Sequence, residues 1–334
     1  MNIAIVGATG NVGRKLLEVL ERTNFEFSEI YLIASDKSVG KKITFKNKNY
    51  SIIGLSDFDF GKVKLAFFSA GSSIAEKWAP IAAKKTIVID NSKYFRMDKE
   101  IPLVVPEVNG EALKAYKNKN IIANANCSTI QLVLALKPLH DQFKIKRVIV
   151  STYQSVSGAG KVHMNELEEQ SKLVLEKQKV NSKNFTKQIA FNVIPHIDSF
   201  MQDGSTKEEW KMTVETKKIL DPNIALTSTC VRVPVFVGHS ESVNIEFKSE
   251  INLKKIRQCL ANAPGCKVHD ERKDGGYITP VESAGDFITY ISRIREDKTQ
   301  KNSINMWIVS DNLLKGAALN AVQIATVLIK KYIN

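Results

Sequence analysis

The stretch Ile3-Ala-Ile-Val6-Gly7-Ala-Thr9-Gly10-Asn11-Val12-Gly13-Arg-Lys-Leu16-Leu17-Glu-Val-Leu20 decides the fold class. Four consecutive apolar residues read as a strand covered on both faces. From Val12 onward the spacing changes, and Val12, Leu16, Leu17 and Leu20 share one face of a helix. Between them lies a glycine-rich turn. Glycines let a backbone turn tightly and approach a pyrophosphate, and the N–H groups that begin the helix attract its charge. The spacing is GxxGxxG rather than GxGxxG, so alone it indicates a nucleotide-binding fold, with a packing turn as the plainer alternative.

The pattern repeats along the first third. Glu29–Ala34, Leu65–Ser69, Thr86–Asp90 and Asn120–Ala123 read as further short strands alternating with helical stretches, which predicts a doubly wound parallel sheet. After Cys127 the order changes. A helix over Ser128–His140 is followed by a strand over Arg147–Gln154. Strands over Thr229–Val237, Val243–Phe247, Phe287–Arg293 and Asn305–Ser310, with helices over Val162–Gln178 and Leu253–Ala261, predict an α+β region with antiparallel pairing. The final segment, Lys315–Ile333, reads as an amphipathic helix packing back onto the first domain. The expected division is therefore 1–126 with 315–334, and 127–314. The fold class is α/β: a Rossmann-like doubly wound parallel sheet followed by an α+β domain.

A chain of 334 residues that is 43% hydrophobic can bury two such cores. No segment approaches the roughly 20 uninterrupted apolar residues of a membrane span. The apolar start runs into glycines without a basic leader or cleavage site, so no signal peptide is expected. Of the four cysteines, Cys127, Cys230 and Cys266 stand far apart, which suggests neither a disulfide framework nor zinc and fits a reducing cytoplasm. The net charge of +13 raises the question of nucleic acid. The lysines are scattered, often beside Asn as in Lys46-Asn-Lys48-Asn, without interleaved aromatics, so a solvated basic surface is expected instead.

Two stretches carry chemistry on their own residues. Ser35-Asp36-Lys37-Ser38 ends the second strand, where an adenosine ribose would lie. Asp36 is placed like the acid that selects NAD; Ser35, Lys37 and Ser38 could hold a 2′-phosphate instead, and the residues leave both open. Cys127, in Asn124-Ala-Asn126-Cys127-Ser-Thr129, stands at the start of a helix whose positive end favours a thiolate able to form a thioester. A buried structural cysteine is the alternative. Among the five histidines (140, 163, 196, 239 and 269), His140 suits a helix C-terminus, and His163 and His269 have no evident partner motif. Arg232 and His239 flank one strand segment, which fits a shared site and a surface pair equally.

Taken together, Gly7–Gly13, Asn126-Cys127-Ser-Thr129, Gln154-Ser-Val-Ser157-Gly158-Ala-Gly160, Arg232-Val-Pro-Val…Gly-His239 and Asp311-Asn312-Leu-Leu-Lys315-Gly-Ala-Ala318 resemble bacterial aspartate-semialdehyde dehydrogenases, in order and spacing over nearly the whole chain. The resemblance implies that Cys127 is the nucleophile, His239 the acid/base and Gln154 the residue orienting the acyl intermediate. It implies that Arg232 pairs with the substrate α-carboxylate, Glu208 with its amine, and Lys211 and Arg96 with phosphate, assisted by Asn91. It implies NADP, held by Gly7, Thr9, Gly10, Asn11, Val12 and Gly13, by Ser35, Lys37 and Ser38, and by Ser69, Ala70 and Gly71. Ser157, Gly158 and Asn312 would line the nicotinamide side. Many members carry Arg where this chain has Lys37, and Asp36 adds negative charge nearby. The implied reaction is NADP-dependent reduction of L-aspartyl 4-phosphate to L-aspartate 4-semialdehyde, feeding lysine, methionine and threonine synthesis in a cytoplasmic homodimer or tetramer, with no nucleic-acid, membrane or metal partner. The rivals are another reductase on the same scaffold, either N-acetylglutamyl-phosphate reductase, against which Glu208 and Lys211 argue because its substrate amine is acylated and uncharged, or a malonyl-thioester reductase, and a non-catalytic nucleotide-binding or nucleic-acid-binding protein.

Overall fold

The computed structural model describes Met1–Ile333, which divide into two compact units: Met1–Ala125 together with the stretch from Ala317, and Asn126–Gly316. In the first unit, β1 (Ile3–Val6) leads into α1 (Asn11–Arg22), β2 (Ile30–Ala34), the hairpin β3 (Lys42–Phe45) and β4 (Lys48–Ser51), then β5 (Ile53–Gly54) and β6 (Leu65–Phe68). The helix α2 (Ser72–Ala83), β7 (Ile87–Asp90), β8 (Leu103–Val104), α3 (Pro106–Asn109) and β9 (Ile121–Asn124) follow. Seven strands form one parallel sheet in the order β5-β2-β1-β6-β7-β9-β8. β1, β6, β7 and β9 are buried at every residue, which is why they read as continuous apolar runs. The chain leaves β1 toward β2 on one side and returns to β6 on the other, so the turns Gly7–Gly10 and Ser69–Gly71 meet where the winding reverses.

The closeness of that meeting explains two glycines. Gly7 has φ +88°, and a Cβ there would lie 2.6 Å from the Ser69 carbonyl oxygen. A Cβ on Gly13 would lie 2.2 Å from the Gly7 carbonyl oxygen and 2.8 Å from Ala8 Cα. Both obstacles are backbone and cannot swing aside. Gly13→Ala is expected to cost on the order of 3 kcal/mol as an overpacked site, read as a lower urea midpoint at unchanged slope. A midpoint equal to wild type would show that α1 can move off the turn.

The second unit begins with α4 (Cys127–Phe143), β10 (Ile145–Gln154), α5 (Lys161–Leu175), α6 (Lys207–Ile219), β11 (Ala225–Arg232) and β12 (His239–Phe247). It continues through α7 (Leu253–Ala261), β13 (Cys266–Val268), α8 (Pro280–Ser283), β14 (Thr289–Glu296) and β15 (Ser303–Ser310). The six-stranded sheet runs β11-β10-β12-β15-β14-β13. Its central pairings are antiparallel, and both edge pairs, β10/β11 and β13/β14, are parallel, so the pairing is mixed rather than wholly antiparallel. One face packs Val148, Val150, Val243, Ile245, Ile304 and Met306 against α4 and α7. On the other face Ile149 and Tyr153 remain 38% and 37% exposed.

Two expectations need correction. The strand expected over Thr229–Val237 spans Ala225–Arg232, because Pro234 and Gly238 (φ +99°) interrupt the apolar run that follows. Arg232 thus ends one strand and His239 begins the next. The last segment is not an amphipathic helix throughout. A wide π-helical turn over Leu314–Ala318 precedes α9 (Leu319–Leu328), and Ile329–Ile333 widens again. α9 buries Leu319, Asn320, Ala321, Val322, Ile324, Ala325 and Leu328, residues on several of its faces, including a polar one. Asn320 Nδ2 donates to Asn124 Oδ1 (2.6 Å) and to the Val104 carbonyl (3.0 Å), tying α9 to the carboxyl ends of β8 and β9.

Candidate active site

In the second unit, Cys127 is the first residue of α4, and Asn126 caps that helix: its Oδ1 accepts from Ser128 N (3.0 Å) and Thr129 N (3.2 Å). The cap is itself held from α6. Asn126 N donates to Glu215 Oε2 (2.6 Å) and Asn126 Nδ2 to Glu208 Oε1 (2.9 Å). The sulfur therefore sits at the positive end of a seventeen-residue helix on an immobilised turn. A Cβ on Gly316 would come within 2.8 Å of Cys127 Cβ, so only glycine fits beside it.

Glu208 gathers the polar groups around this turn. Gln154, ending β10, donates from Nε2 to Glu208 Oε1 (3.2 Å) and to Thr152 Oγ1 (3.3 Å). Lys211 Nζ lies 2.5 Å from Glu208 Oε2 and 3.2 Å from Asp198 Oδ2. Burial alone would raise the Glu208 pKa. The Lys211 charge and the hydrogen bonds from Lys211, Asn126 and Gln154 outweigh it and hold the carboxyl at about 2. Arg232 stands opposite Gln154 in the β10/β11 register and donates from Nη1 to the Ser155 carbonyl (2.7 Å). Arg232 as a whole is 8% exposed. Burial lowers its pKa, opposed by the charges of Glu208 and the Cys127 thiolate.

His239 is wholly buried at the start of β12. Ser155 N donates to its Nδ1 (3.1 Å), and Ser155 Oγ lies equally close. Asn312 Oδ1 accepts from Ser155 Oγ (3.0 Å), Ser157 Oγ (3.2 Å) and Gly238 N (2.9 Å). The side-chain oxygen of Asn312 thus organises the histidine pocket from behind. Burial first, and then the Arg232 charge, push the His239 pKa down to about 3; Glu208 and the Gly238 backbone act in the other direction. Two residues along, Glu241 is also fully buried, and burial pushes its carboxyl well above the ordinary range, despite Gln131 beside it. The remaining histidines have other surroundings. His140 Nδ1 accepts from Ile145 N at the end of α4, His163 packs on Phe185, and His196 stacks on Phe200 at 4.3 Å. His269 donates its backbone N–H to Ile291.

In the first unit, α1 starts without a side-chain cap and without an acid in its first turn, leaving its N-terminus suited to a pyrophosphate. Thr9 and Gly10 are exposed, and Asn11 and Val12 half-buried. Ser35, Asp36 and Lys37 are exposed beyond β2, with Ser38 half-buried. Asp36 Oδ1 lies 3.4 Å from where a Cβ on Gly54 would stand, so the carboxylate turns toward β5. Ser69 Oγ donates to the Val6 carbonyl (3.0 Å), and Gly71 has φ +88° with open space around it beside half-buried Ala70. Arg96 is 8% exposed and donates from Nη2 to the Asn91 carbonyl (3.1 Å). Asn91 accepts at Oδ1 from Asn124 Nδ2 (2.6 Å) and donates to the Phe68 carbonyl (3.0 Å).

Residues 2–116 match the family model described as "Semialdehyde dehydrogenase, NAD binding domain", and residues 136–315 match "Semialdehyde dehydrogenase, dimerisation domain". The aspartate-semialdehyde dehydrogenase of Rickettsia bellii is 50% identical to this chain over 99% of it and 98% of the relative. The chain belongs to the aspartate-semialdehyde dehydrogenases. The crystal structure of Vibrio cholerae aspartate semialdehyde dehydrogenase II complexed with ASA superposes with a TM-score of 0.97 at 46% identity, over 99% of this chain and 98% of that one. A more distant family member, from Candida albicans with NADP, gives a TM-score of 0.76 at 25% identity, over 100% of this chain and 99% of that one.

For a chain of this family, the structure adds residues to those expected from sequence. Asn126, Glu215, Ser155 and Gly316 each hold or make room for Cys127 or His239. Asn126 had a readable signal, an Asn directly before an apolar helix. The other three act through pairings between segments distant in sequence. The four cysteines, Cys127, Cys230, Cys259 and Cys266, are free thiols. Among the described residues no helix is long and apolar enough to cross a membrane, and no cluster of three or more His, Cys, Asp or Glu could hold a metal ion.

Proposed function

We propose that this chain interconverts L-aspartyl 4-phosphate and L-aspartate 4-semialdehyde, with NADP as cofactor and Cys127 as nucleophile. The carrying observation is a cysteine at the start of a capped helix, electrostatically coupled to a buried guanidinium beside a buried carboxylate–ammonium pair. The Cys127 thiolate adds to the acyl carbon, and phosphate leaves with the bonding pair of the broken C–O bond, giving a thioester. Gln154 orients the acyl group. The planar fork of Arg232 matches the substrate α-carboxylate. Glu208 and Lys211 neutralise each other in the resting structure. Substrate binding exchanges that pair for two new ones, amine on Glu208 and phosphate on Lys211, with Arg96 and Asn91 serving the phosphate as well. When bound, the nicotinamide supplies the hydride that reduces the thioester.

The residues fit a cofactor carrying a 2′-phosphate. Lys37 is exposed between Ser35 and Ser38, and Asp36 Oδ1 faces Gly54 on β5. Gly7, Gly10 and Gly13 clear the turn before α1 for the pyrophosphate, Ser69 to Gly71 border it, and Ser157, Gly158 and Asn312 would serve the nicotinamide side. The open sheet face bearing Ile149 and Tyr153 suits a homodimer through the second unit, in the cytoplasm and feeding lysine, methionine and threonine synthesis.

The test is phosphate-dependent reduction of NADP, and separately of NAD, with L-aspartate 4-semialdehyde. Turnover is expected to require phosphate and to favour NADP. Lys37→Ala should raise KM for NADP about 10–100-fold, the loss of one charge-assisted hydrogen bond, and leave the NAD reaction unchanged. Equal loss with both cofactors would remove Lys37 from 2′-phosphate recognition. Turnover without phosphate would point to a different acyl chemistry.

A further inference from the structure

We propose that Asp198 is a positioning residue for the lysine that meets phosphate: it receives Lys211 when the substrate amine takes Glu208, and its charge keeps that lysine's hold on phosphate loose. This hand-over rests on the assignment of amine to Glu208 and phosphate to Lys211 made above.

In the resting structure Lys211 Nζ serves two carboxylates, 2.5 Å from Glu208 Oε2 and 3.2 Å from Asp198 Oδ2. One ammonium balances only one of them, so the three ionised groups together carry a formal charge of −1. An incoming substrate ammonium supplies the missing cation. If Glu208 were the lysine's sole anion, that arrival would leave a buried Lys211 uncompensated, which is strongly unfavourable. With Asp198 in reach, the flexible lysine stem shifts from one carboxylate to the other and stays paired throughout. The two partners suit different stages. The Glu208 side chain is 6% exposed and that of Asp198 23%. The drier carboxylate binds the cation more strongly at rest, and the wetter one holds it weakly enough to share it with phosphate.

The chain keeps Asp198 at that distance. Its φ is +69°, a left-handed conformation that Asp tolerates better than most side chains. Oδ1 accepts from Ser199 N (2.9 Å), and Oδ2 accepts from Lys211. The flanking residues are tied to the same site from both sides. Ile194 and Arg232 exchange both backbone hydrogen bonds (2.9 and 2.8 Å), and Lys207 N, at the start of α6, donates to the Ser199 carbonyl (2.9 Å). Between them Ile197 is buried in the core of the second unit. The turn bearing Asp198 is therefore clamped between the strand end that carries Arg232 and the helix that carries Glu208 and Lys211.

Losing the Asp198 charge acts on the two substrates in opposite directions. Lys211 then clings to Glu208, so the substrate amine competes against a tighter pair and binds less well. The same loss removes a negative charge beside the place where phosphate meets Lys211, so phosphate binds more tightly. A side chain that merely braced the turn would weaken both.

The experiment measures initial rates of phosphate-dependent NADP reduction with L-aspartate 4-semialdehyde for wild type, Asp198→Asn and Asp198→Gly. Both replacements accept the left-handed backbone and drop the charge, and Asn keeps an acceptor for Ser199 N. KM for the semialdehyde should rise about tenfold or more, the scale of one hydrogen bond to a charged group. KM for phosphate should fall at least about threefold, the effect of removing one unit charge several ångströms from an anion in a wet site. The value of kcat should change less than either constant. Both KM values rising together overturns the proposal, as does either one staying at its wild-type value in both variants. Glu208→Gln, run alongside, separates the hand-over from the reading beneath it. A semialdehyde KM untouched by Glu208→Gln would take the amine away from Glu208, and the hand-over with it. A raised KM there, beside inert Asp198 variants, would overturn the hand-over alone.

Discussion

Cys127→Ala is expected to lower phosphate-dependent turnover by on the order of 10⁴-fold or more, the scale seen when a covalent nucleophile is removed. The fold should survive. The helix cap belongs to Asn126, whose bonds to Ser128, Thr129, Glu208 and Glu215 involve no atom of the cysteine side chain. Thermal unfolding of the variant should therefore lie within a few degrees of wild type, and its mass should stay unchanged with L-aspartyl 4-phosphate while wild type gains an acyl adduct. Retention of more than a small percentage of turnover by a correctly folded Ala protein would sink the thioester route. A Ser replacement makes the same point more strictly, because it keeps the shape of the side chain and removes the easily ionised sulfur.

The second large effect lies in stability against acid. Folding lowers the Glu208 pKa from 4.5 to about 2, so the folded state holds this proton less tightly than the unfolded chain. The associated stabilisation, roughly 3 kcal/mol, is fully present above about pH 4.5 and disappears as pH falls toward 2. Glu208→Gln should remove that component. At pH 7 the variant should be less stable by about 3 kcal/mol, because Lys211 loses a buried counter-charge, with Asp198 at 3.2 Å limiting the damage. Urea midpoints of the two proteins should converge as pH falls from about 4.5 to 2. Parallel curves over that range would mean that Lys211, Asn126 and Gln154 do not favour the ionised form as their geometry indicates.

What could be read without coordinates follows from how far each signal extends along the chain. β1, β6, β7 and β9 are buried on both faces, and such strands betray themselves as short, mostly apolar runs. α6 did not show itself as a helix, because Lys207–Ile219 carries seven charged residues and its buried positions include Glu208, Lys211 and Glu215. A periodicity reading counts those as surface. Its start was nonetheless written in Thr206 and Glu209, a capping box whose two halves bond each other at 2.7 and 3.4 Å. The strand expected through Val233–Val237 was misplaced because apolar content was weighed above Pro234. In the site, the sequence alone left Arg232 and His239 as either a shared site or a surface pair. The structure draws both to Ser155, the first through that residue's carbonyl and the second through its N–H. No spacing rule foretells a serine whose backbone serves two side chains more than seventy positions away.

The first unit takes its last helix from the far end of the chain, and this orders events during synthesis. When residue 125 has been made, the sheet strands exist but α9 does not. The polypeptide must add the whole of Asn126–Gly316 before Ala317 appears. At roughly 5–20 residues per second on the ribosome, that interval lasts on the order of 10–40 seconds. Throughout it, Asn124 lacks the Asn320 amide, and the apolar positions that α9 will cover face water or a chaperone. The second unit is continuous and can complete itself while the first waits. Truncation within the last twenty residues should thus be far more damaging to the nascent protein than its distance from Cys127 along the chain suggests, leaving a nucleotide-binding sheet that was made first and never closed.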